Sequence, residues 1–414
     1  MQNKKGSVIE MSSIEDKFSK LGAEFAPGQE VRQSIDEISF DIDKIPGTPV
    51  DFSHGDIDAH EPIPGVQETF NEGFELGGQQ AYTEYRGSLD IREDLTSKLT
   101  DFTGWKMEAD SNLLITPGTQ GALFLAMGAL VARGDKVAIV EPDYFANRKL
   151  VHFFDGELVP VQLNYFDNEK EAGLDLNELE EAFKNGVKTF LFSNPNNPTG
   201  VIYSKDEIQK IAALAEKYGV AVIVDELYSR QLFDGRDYIH LITQEGINSE
   251  NVITIIGPSK TESLSGYRLG VAFGSAKIIE RMEKLQAIVS LRASGYNQAV
   301  LKLWFNEPNG WMKNRIESHQ AIRDDLVKVL NEADGFKVRP TEAGSYLFPE
   351  IPAIKVSLAE FVKILRVRAG VTVTPGTEFG KGFDSSFRVN FSQDHQAAVE
   401  AMKRIIQVVE ELRK

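Results

Sequence analysis

The sequence predicts an α/β protein. A large domain holds a mostly parallel sheet sandwiched by helices, and a smaller α+β domain is built from the N-terminal arm and the C-terminal segment. Three observations predict it. Between about residues 110 and 275, short apolar runs alternate with amphipathic stretches, the pattern of a parallel sheet covered on both faces. Several of the amphipathic stretches open on a capping signal. Beyond about residue 300 the alternation gives way to long helical patterns around short strands.

Residues 1–60 are polar and irregular, with a candidate helix near 12–21, and read as an arm that packs on the small domain. The large domain is expected over 61–300. Its strand candidates are 113–116, 137–140, 187–193, 220–225, 252–256 and 269–274. They are nearly continuous in apolar character, as strands buried on both faces are. Asp175 with Glu178, and Ser204 with Glu207, mark helix starts, because an oxygen acceptor is followed three residues later by a glutamate. The small domain is expected over 301–414. It has helices near 312–333, 357–368 and 394–413 and strands at 371–374 and 387–391, and Ser357 with Glu360 repeats the capping signal.

Composition removes several function classes. The 414 residues carry a net charge of −17, from 45 basic and 62 acidic side chains. That opposes nucleic-acid or anionic-membrane binding. There is no cysteine, which excludes thiolate metal sites, iron–sulfur clusters and a cysteine nucleophile. The six histidines show no metal-ligand spacing. No signal-peptide pattern and no apolar run long enough to span a membrane are present, so the cytoplasm is the expected compartment.

In an open α/β sheet, ligands bind beyond the carboxyl ends of the strands. The turns there carry the unusual residues. Lys260 follows the run 251–256 in a Gly/Ser-rich turn, where small neighbours let an aldehyde cofactor approach and form an imine. Arg268 offers a fork suited to phosphate. Gly118, Thr119 and Gln120 open an apolar helix whose free N–H groups suit the same anion, although alone this is also an ordinary strand-to-helix turn. The Ser193–Gly200 turn, SNPNNPTG, holds amide donors in a proline-stiffened loop. Asp225 ends an apolar strand, where it is either a helix cap or the partner of a cationic ring nitrogen. Tyr144 offers a stacking face, and Arg388 alternates with apolar residues on a strand, placed to take a carboxylate or to face solvent. The set is the one that pyridoxal phosphate and an amino acid require.

With these residues in view, the chain resembles the class I/II aminotransferases, the fold-type-I pyridoxal-phosphate enzymes, from about Asp51 to the last helix. The resemblance rests on NNPTG at 196–200, DELY at 225–228, SK with GYRLG at 259–270, RVNFS at 388–392 and the stretch holding Tyr82, Gly87 and Arg92. It implies an enzyme that moves an amino group between an L-amino acid and a 2-keto acid. Lys260 would bind the cofactor as an imine and shuttle the proton. Asp225 would pair with the ring nitrogen, Asn197 and Tyr228 with the ring hydroxyl, and Tyr144 would stack. Gly118, Thr119, Ser259 and Arg268 would hold the phosphate, with Gln120 on the same turn. Tyr82 would reach the site of a partner subunit in a homodimer. Arg388 would bind the substrate α-carboxylate, with Gly55 and Asn197 near the substrate. Arg292 falls where some relatives place a residue reaching the neighbouring site, where it would read a distal carboxylate; it also fits an exposed helix end.

The chain departs from the family pattern at three points. Gly257 stands where a serine is common three residues before the lysine, the proline after Gly55 is absent, and Glu226 follows the aspartate. The same residues serve a β-lyase, decarboxylase or cyclising enzyme, which is the alternative reading. A cofactor-binding regulator would need an output module that the sequence does not show, and no GxGxxG follows a strand as a nicotinamide enzyme requires.

Overall fold

The computed structural model describes residues 12–22, 43–54, 60–77 and 82–414. Strand β1 (Val50–Asp51) precedes a seven-stranded sheet. Its strands are β2 (Leu113–Pro117), β3 (Lys136–Glu141), β4 (Glu157–Gln162), β5 (Val187–Ser193), β6 (Ala221–Asp225), β7 (Val252–Ile256) and β8 (Leu269–Gly274). The spatial order is β2-β8-β7-β6-β5-β3-β4. All neighbours are parallel except β8, which runs antiparallel to both β2 and β7.

Side chains leave the two faces of this sheet alternately and both faces are buried. Phe190, Phe192, Val222 and Val224 pack into one core cluster, while Leu191, Ile223, Ile253 and Ile255 pack into another on the opposite face. Each such side chain contributes roughly 1.5–3 kcal/mol on burial. The predicted central strands owe their legible apolar runs to this double burial.

The sequence reading missed β4. It lies at the sheet edge, most of its residues are partly or fully exposed, and it contains Pro160. An edge strand needs neither continuous apolar character nor every N–H. The three capping signals are all used. Asp175 accepts from the N–H groups of Asn177 and Glu178, and Ser204 with Glu207 and Ser357 with Glu360 form reciprocal boxes.

Four short strands follow the sheet: β9 (Tyr346–Leu347), β10 (Val371–Thr372), β11 (Thr374–Pro375) and β12 (Phe387–Asn390). The expected strand at 371–374 is two pieces in different pairings. β10 pairs in parallel with β1, whereas β11 pairs antiparallel with β12. The expected helix over 357–368 is α-helical only over Leu358–Ile364 and finishes in a π turn, Leu365–Ala369. A further apolar cluster joins Val50 and Phe52 to Leu326, Phe361, Val371, Phe387 and Ile405. The backbone of residues 45–52 is tied to residues 368–372 by N–H···O bonds of 2.8–3.0 Å. This stitching brings Ser53 and His54 to the sheet edge where the strands end. Among the described residues no helix is long and apolar enough to cross a membrane.

Candidate active site

A cavity of about 250 Å³ opens at the carboxyl ends of the parallel strands. Thr119, Gln120, Tyr144, Asn197, Asp225, Tyr228, Ser259, Lys260, Arg268 and Arg388, ten of the residues singled out from sequence, line it. They come from separate segments, and the topology explains their meeting. β5, β6 and β7 end side by side, so the turns after them are neighbours. β8 begins at the same edge because it runs backwards.

The Lys260 amine makes no hydrogen bond or ion pair with any described residue, while its carbonyl accepts from Ser263 N–H at 3.2 Å and the loop that carries it is clamped. Arg230 bonds both Glu262 and Glu307, the latter at 2.7 Å, and Arg315 donates to Ser263 Oγ at 2.7 Å. Glu262 is wholly buried, and burial pushes its carboxyl up to about 7. A lysine with a free amine on an anchored loop suits covalent attachment of a carbonyl group.

The N-terminus of the helix Gly118–Leu130 and Arg268 meet in a cradle whose charge suits an anion. Arg268 has φ +53° and donates to Ser265 O at 2.8 Å. The backbones of the cradle are close. A Cβ at Gly270 would lie 2.4 Å from Thr119 N, and one at Gly118, itself at φ +77°, would lie 2.6 Å from Arg268 Nη2. Only glycine fits both places. Gly118 therefore supports the cavity from behind rather than lining it. Gly257 has a steric reason as well: a Cβ there would lie 2.9 Å from Thr119 Cγ2. The hydroxyl missing at 257 is thus matched by the bulk of Thr119.

Asp225 lies across the cavity floor. Leu227 N–H donates to its Oδ1 at 3.1 Å, and no described cation pairs with it. Burial pushes its pKa from 3.8 up to about 6, with a further upward push from Glu226. An uncompensated, half-buried carboxylate of this kind calls for a cationic partner. Glu226 itself points away, to the buried His240 at 2.8 Å.

Asn197 Oδ1 accepts from Arg388 Nη1 at 3.0 Å, which leaves its NH₂ as a donor toward the cavity. Tyr228 OH bonds Tyr346 OH at 2.6 Å. A phenol has one proton, so Tyr228 can donate into the cavity only when Tyr346 is the donor within the pair. Arg388 is buried on β12. Its guanidinium stacks on Tyr346 and Phe379 at 4.4 and 5.0 Å, donates to Ser53 O, and keeps a buried Nε without a partner. Tyr144 OH donates to Gln120 Oε1 at 3.1 Å, fixing the ring at the cavity wall.

Sequence reasoning missed Tyr346, Ser53 and His54, and it placed Asp143 and Ser193 on their strand-end turns without pairing them. Asp143 is buried, accepts from Tyr144 N at 2.6 Å and from Ser193 N at 3.0 Å, and also takes the Ser193 hydroxyl. Ser193 Oγ in turn accepts from Asn197 N at 3.1 Å. Burial pushes Asp143 up to about 7. Its position after Pro142 at a strand end was the available signal.

Two other candidates lie outside the cavity of their own chain. Arg292 sits over the rings of Tyr82 and Tyr85 at 4.3 and 4.7 Å, and Tyr82 is 69% exposed. Gly55 falls outside the described residues.

Comparison with known proteins agrees with this geometry. The family described as "Aminotransferase class I and II" matches residues 48–405. A crystal structure of an aspartate aminotransferase from Rhodobacter sphaeroides superposes with a TM-score of 0.92 at 61% identity, covering 97% of this chain and 100% of that one. Among curated relatives, an aspartate aminotransferase of Pyrococcus horikoshii is 28% identical over 335 residues, 80% of this chain and 84% of the relative. An aromatic-amino-acid aminotransferase of Thermococcus litoralis is 26% identical over 336 residues, 81% and 85% respectively. An α/β sheet with one reversed strand, a free lysine at its edge and a match across most of the chain lead to one conclusion: this protein belongs to the class I and II aminotransferases.

Proposed function

We propose that the protein is a pyridoxal-phosphate-dependent aminotransferase, acting as a homodimer, with an acidic amino acid among its donors. The observation that carries the reading is that Asp225, Arg388 and the β7–β8 loop residues Lys260 and Arg268, from three separate segments, line one cavity. The donor set fits the cofactor. The helix start at Gly118 and Arg268 suit its phosphate, Asp225 its ring nitrogen, Asn197 and the Tyr228–Tyr346 pair its ring oxygen, and Tyr144 its face. When bound, pyridoxal phosphate supplies a carbonyl carbon that accepts the amino group and a ring that withdraws electrons from the donor's α-carbon.

The chain's own residues do the rest. Arg388, with its unpartnered Nε, takes the donor's α-carboxylate and so fixes the α-carbon relative to Lys260. Lys260 Nζ takes the proton from that α-carbon and later returns one, as a general base and then a general acid. Asp225, ionised against a ring cation, keeps that nitrogen protonated.

The names of the relatives support the donor class. The dimer is supported by exposed apolar side chains, among them Tyr82 and Tyr85, which both meet Arg292, and Phe74, Leu76, Ile288 and Leu291. Such a surface suits a second copy, and it would bring Tyr82 and Arg292 toward the partner's site. The arrangement of residues 1–60, 61–300 and 301–414 as arm, large and small domains belongs to the same proposal.

The test is addition of pyridoxal phosphate to the purified protein, followed by a panel of amino donors and keto acids. The expected result is a visible lysine-bound cofactor band that an acidic donor removes, with stoichiometric amino transfer. A protein that takes up no cofactor, or a Lys260→Ala variant that transfers as fast as the parent, overturns the reading.

A further inference from the structure

β3 and β5 are parallel neighbours, so the turns that follow them run side by side. One carries Tyr144, the face offered to the cofactor ring, and the other Asn197, the donor offered to its oxygen. Asp143 and Ser193 stand between them, both almost fully buried. Ser193 lines the cavity and Asp143 does not. The Asp143 carboxyl has no part in the chemistry given to Lys260, Asp225 and Arg388, although burying it is costly enough to push it up to about 7.

Its hydrogen bonds run in one line. Tyr144 N–H donates to Asp143 Oδ1 at 2.6 Å, and the Ser193 hydroxyl meets the same oxygen. Asn197 N–H donates to Ser193 Oγ at 3.1 Å, and Ser193 N–H donates to the other carboxyl oxygen at 3.0 Å. A backbone N–H only donates. Both ends of the line are therefore fixed, whichever partner holds the proton between Asp143 and Ser193. Two side chains thus join the backbone of Tyr144 to that of Asn197. Asn197 Oδ1 is engaged by Arg388, so the place of its backbone decides where its NH₂ points. A separate tie, from Asn196 Nδ2 to the Pro142 carbonyl at 3.1 Å, links the two turns without passing through Asp143. Loss of the carboxyl leaves that tie in place and removes the finer setting of Tyr144 against Asn197.

We propose that Asp143 is a positioning residue: through Ser193 it sets the Tyr144 ring and the Asn197 amide at one spacing, ready to receive the cofactor ring. The inference rests on the pyridoxal-phosphate reading and adds to it the group that prepares the ring's place. The bonds of Asp143 and Ser193 reach ring-side residues, and none of them goes to the helix start at Gly118 or to Arg268, which suit the phosphate.

That separation supplies the test. The cofactor-free parent, Ser193→Ala, Asp143→Ala and Asp143→Asn are each titrated with pyridoxal phosphate, read by visible absorbance, and with inorganic phosphate, read by calorimetry. Ser193→Ala should raise Kd for pyridoxal phosphate about fivefold and Asp143→Ala about 10- to 30-fold, the worth of one and of two neutral hydrogen bonds. Asp143→Asn keeps an oxygen for Tyr144 N–H and the Ser193 hydroxyl, so it should bind more tightly than Asp143→Ala. Kd for inorganic phosphate should change less than about twofold throughout, which a general loosening of the cavity would not allow. Should Asp143→Ala fail to fold, Ser193→Ala decides alone, because it leaves both N–H bonds to the carboxyl in place. Unchanged pyridoxal-phosphate affinity in Ser193→Ala, a parallel loss of inorganic phosphate, or an Asp143→Asn variant as weak as Asp143→Ala overturns the proposal and leaves the transferase reading standing. A parent that takes up no pyridoxal phosphate overturns both.

Discussion

Asp225→Asn separates what the aspartate costs the fold from what it does for the cofactor. Burial raises the Asp225 pKa from 3.8 to about 6 in the cofactor-free protein. A shift of about two units corresponds to about 3 kcal/mol. The folded pKa lies above the unfolded one, so the folded state holds the proton more tightly. The associated stability is complete below pH 3.8 and is lost as pH rises through 6. About half of the penalty is already present at pH 5. Asparagine carries no charge at any of these pH values, and its oxygen can still accept from Leu227 N–H. Urea unfolding of the cofactor-free proteins at fixed concentration should therefore find Asp225→Asn more stable than the parent at pH 8. The margin should grow by about 1.5 kcal/mol between pH 5 and pH 8. With pyridoxal phosphate added the order reverses, because the parent gains the ring-nitrogen contact and the variant does not. Activity should fall about 10²- to 10³-fold. A variant that is no more stable than the parent at pH 8, or whose margin is the same at pH 5, refutes the argument that Asp225 is an uncompensated, half-buried acid.

Two further substitutions test the cradle and the carboxylate reader. Gly257→Ser should destabilise the protein by about 1–3 kcal/mol, because the new Cβ meets Thr119 Cγ2. Thr119→Ser, which lacks that methyl, should restore most of the loss in a double-mutant cycle read by urea unfolding. Arg388→Lys keeps the charge but loses the fork that spans Asn197 and the carboxylate. Steady-state kinetics should show KM for the amino donor rising at least about tenfold; an unchanged KM contradicts its assignment.

The sequence reading captured the lining of the cavity better than it captured the sheet around it, and the reason is physical. Asp225 ends β6 and Arg268 precedes β8, while Lys260 and Asn197 lie in the turns just beyond β7 and β5, so all four stand where an apolar run gives way to a polar turn. That contrast is visible in one dimension. β4 offers no contrast because it is half exposed and contains Pro160. β1 and β9 are two residues long and exist through their pairing with distant segments, which no local pattern records. Tyr346 and Ser53 enter the cavity through those same pairings, and they were missed for that reason. His54 lay beside a glycine that the resemblance had marked. The split of 371–375 between two pairings is likewise a tertiary choice.

The reversed strand β8 has a consequence for the order in which the protein assembles. β3 to β7 are parallel neighbours in which most pairings join strands close in the chain. The cradle instead needs β2 set against β8, with Pro117 opposite Leu269, so nearly the whole sheet-forming segment lies between its two halves. Closing so long an intervening chain is slow in entropic terms, and it rewards the chain only after the intermediate strands have formed. The cradle is therefore a late product of folding. Pyridoxal phosphate should leave the early rise of secondary structure in refolding unchanged and slow only the unfolding of the finished sheet. A cofactor effect on that early phase would show that the two halves meet sooner than their separation suggests.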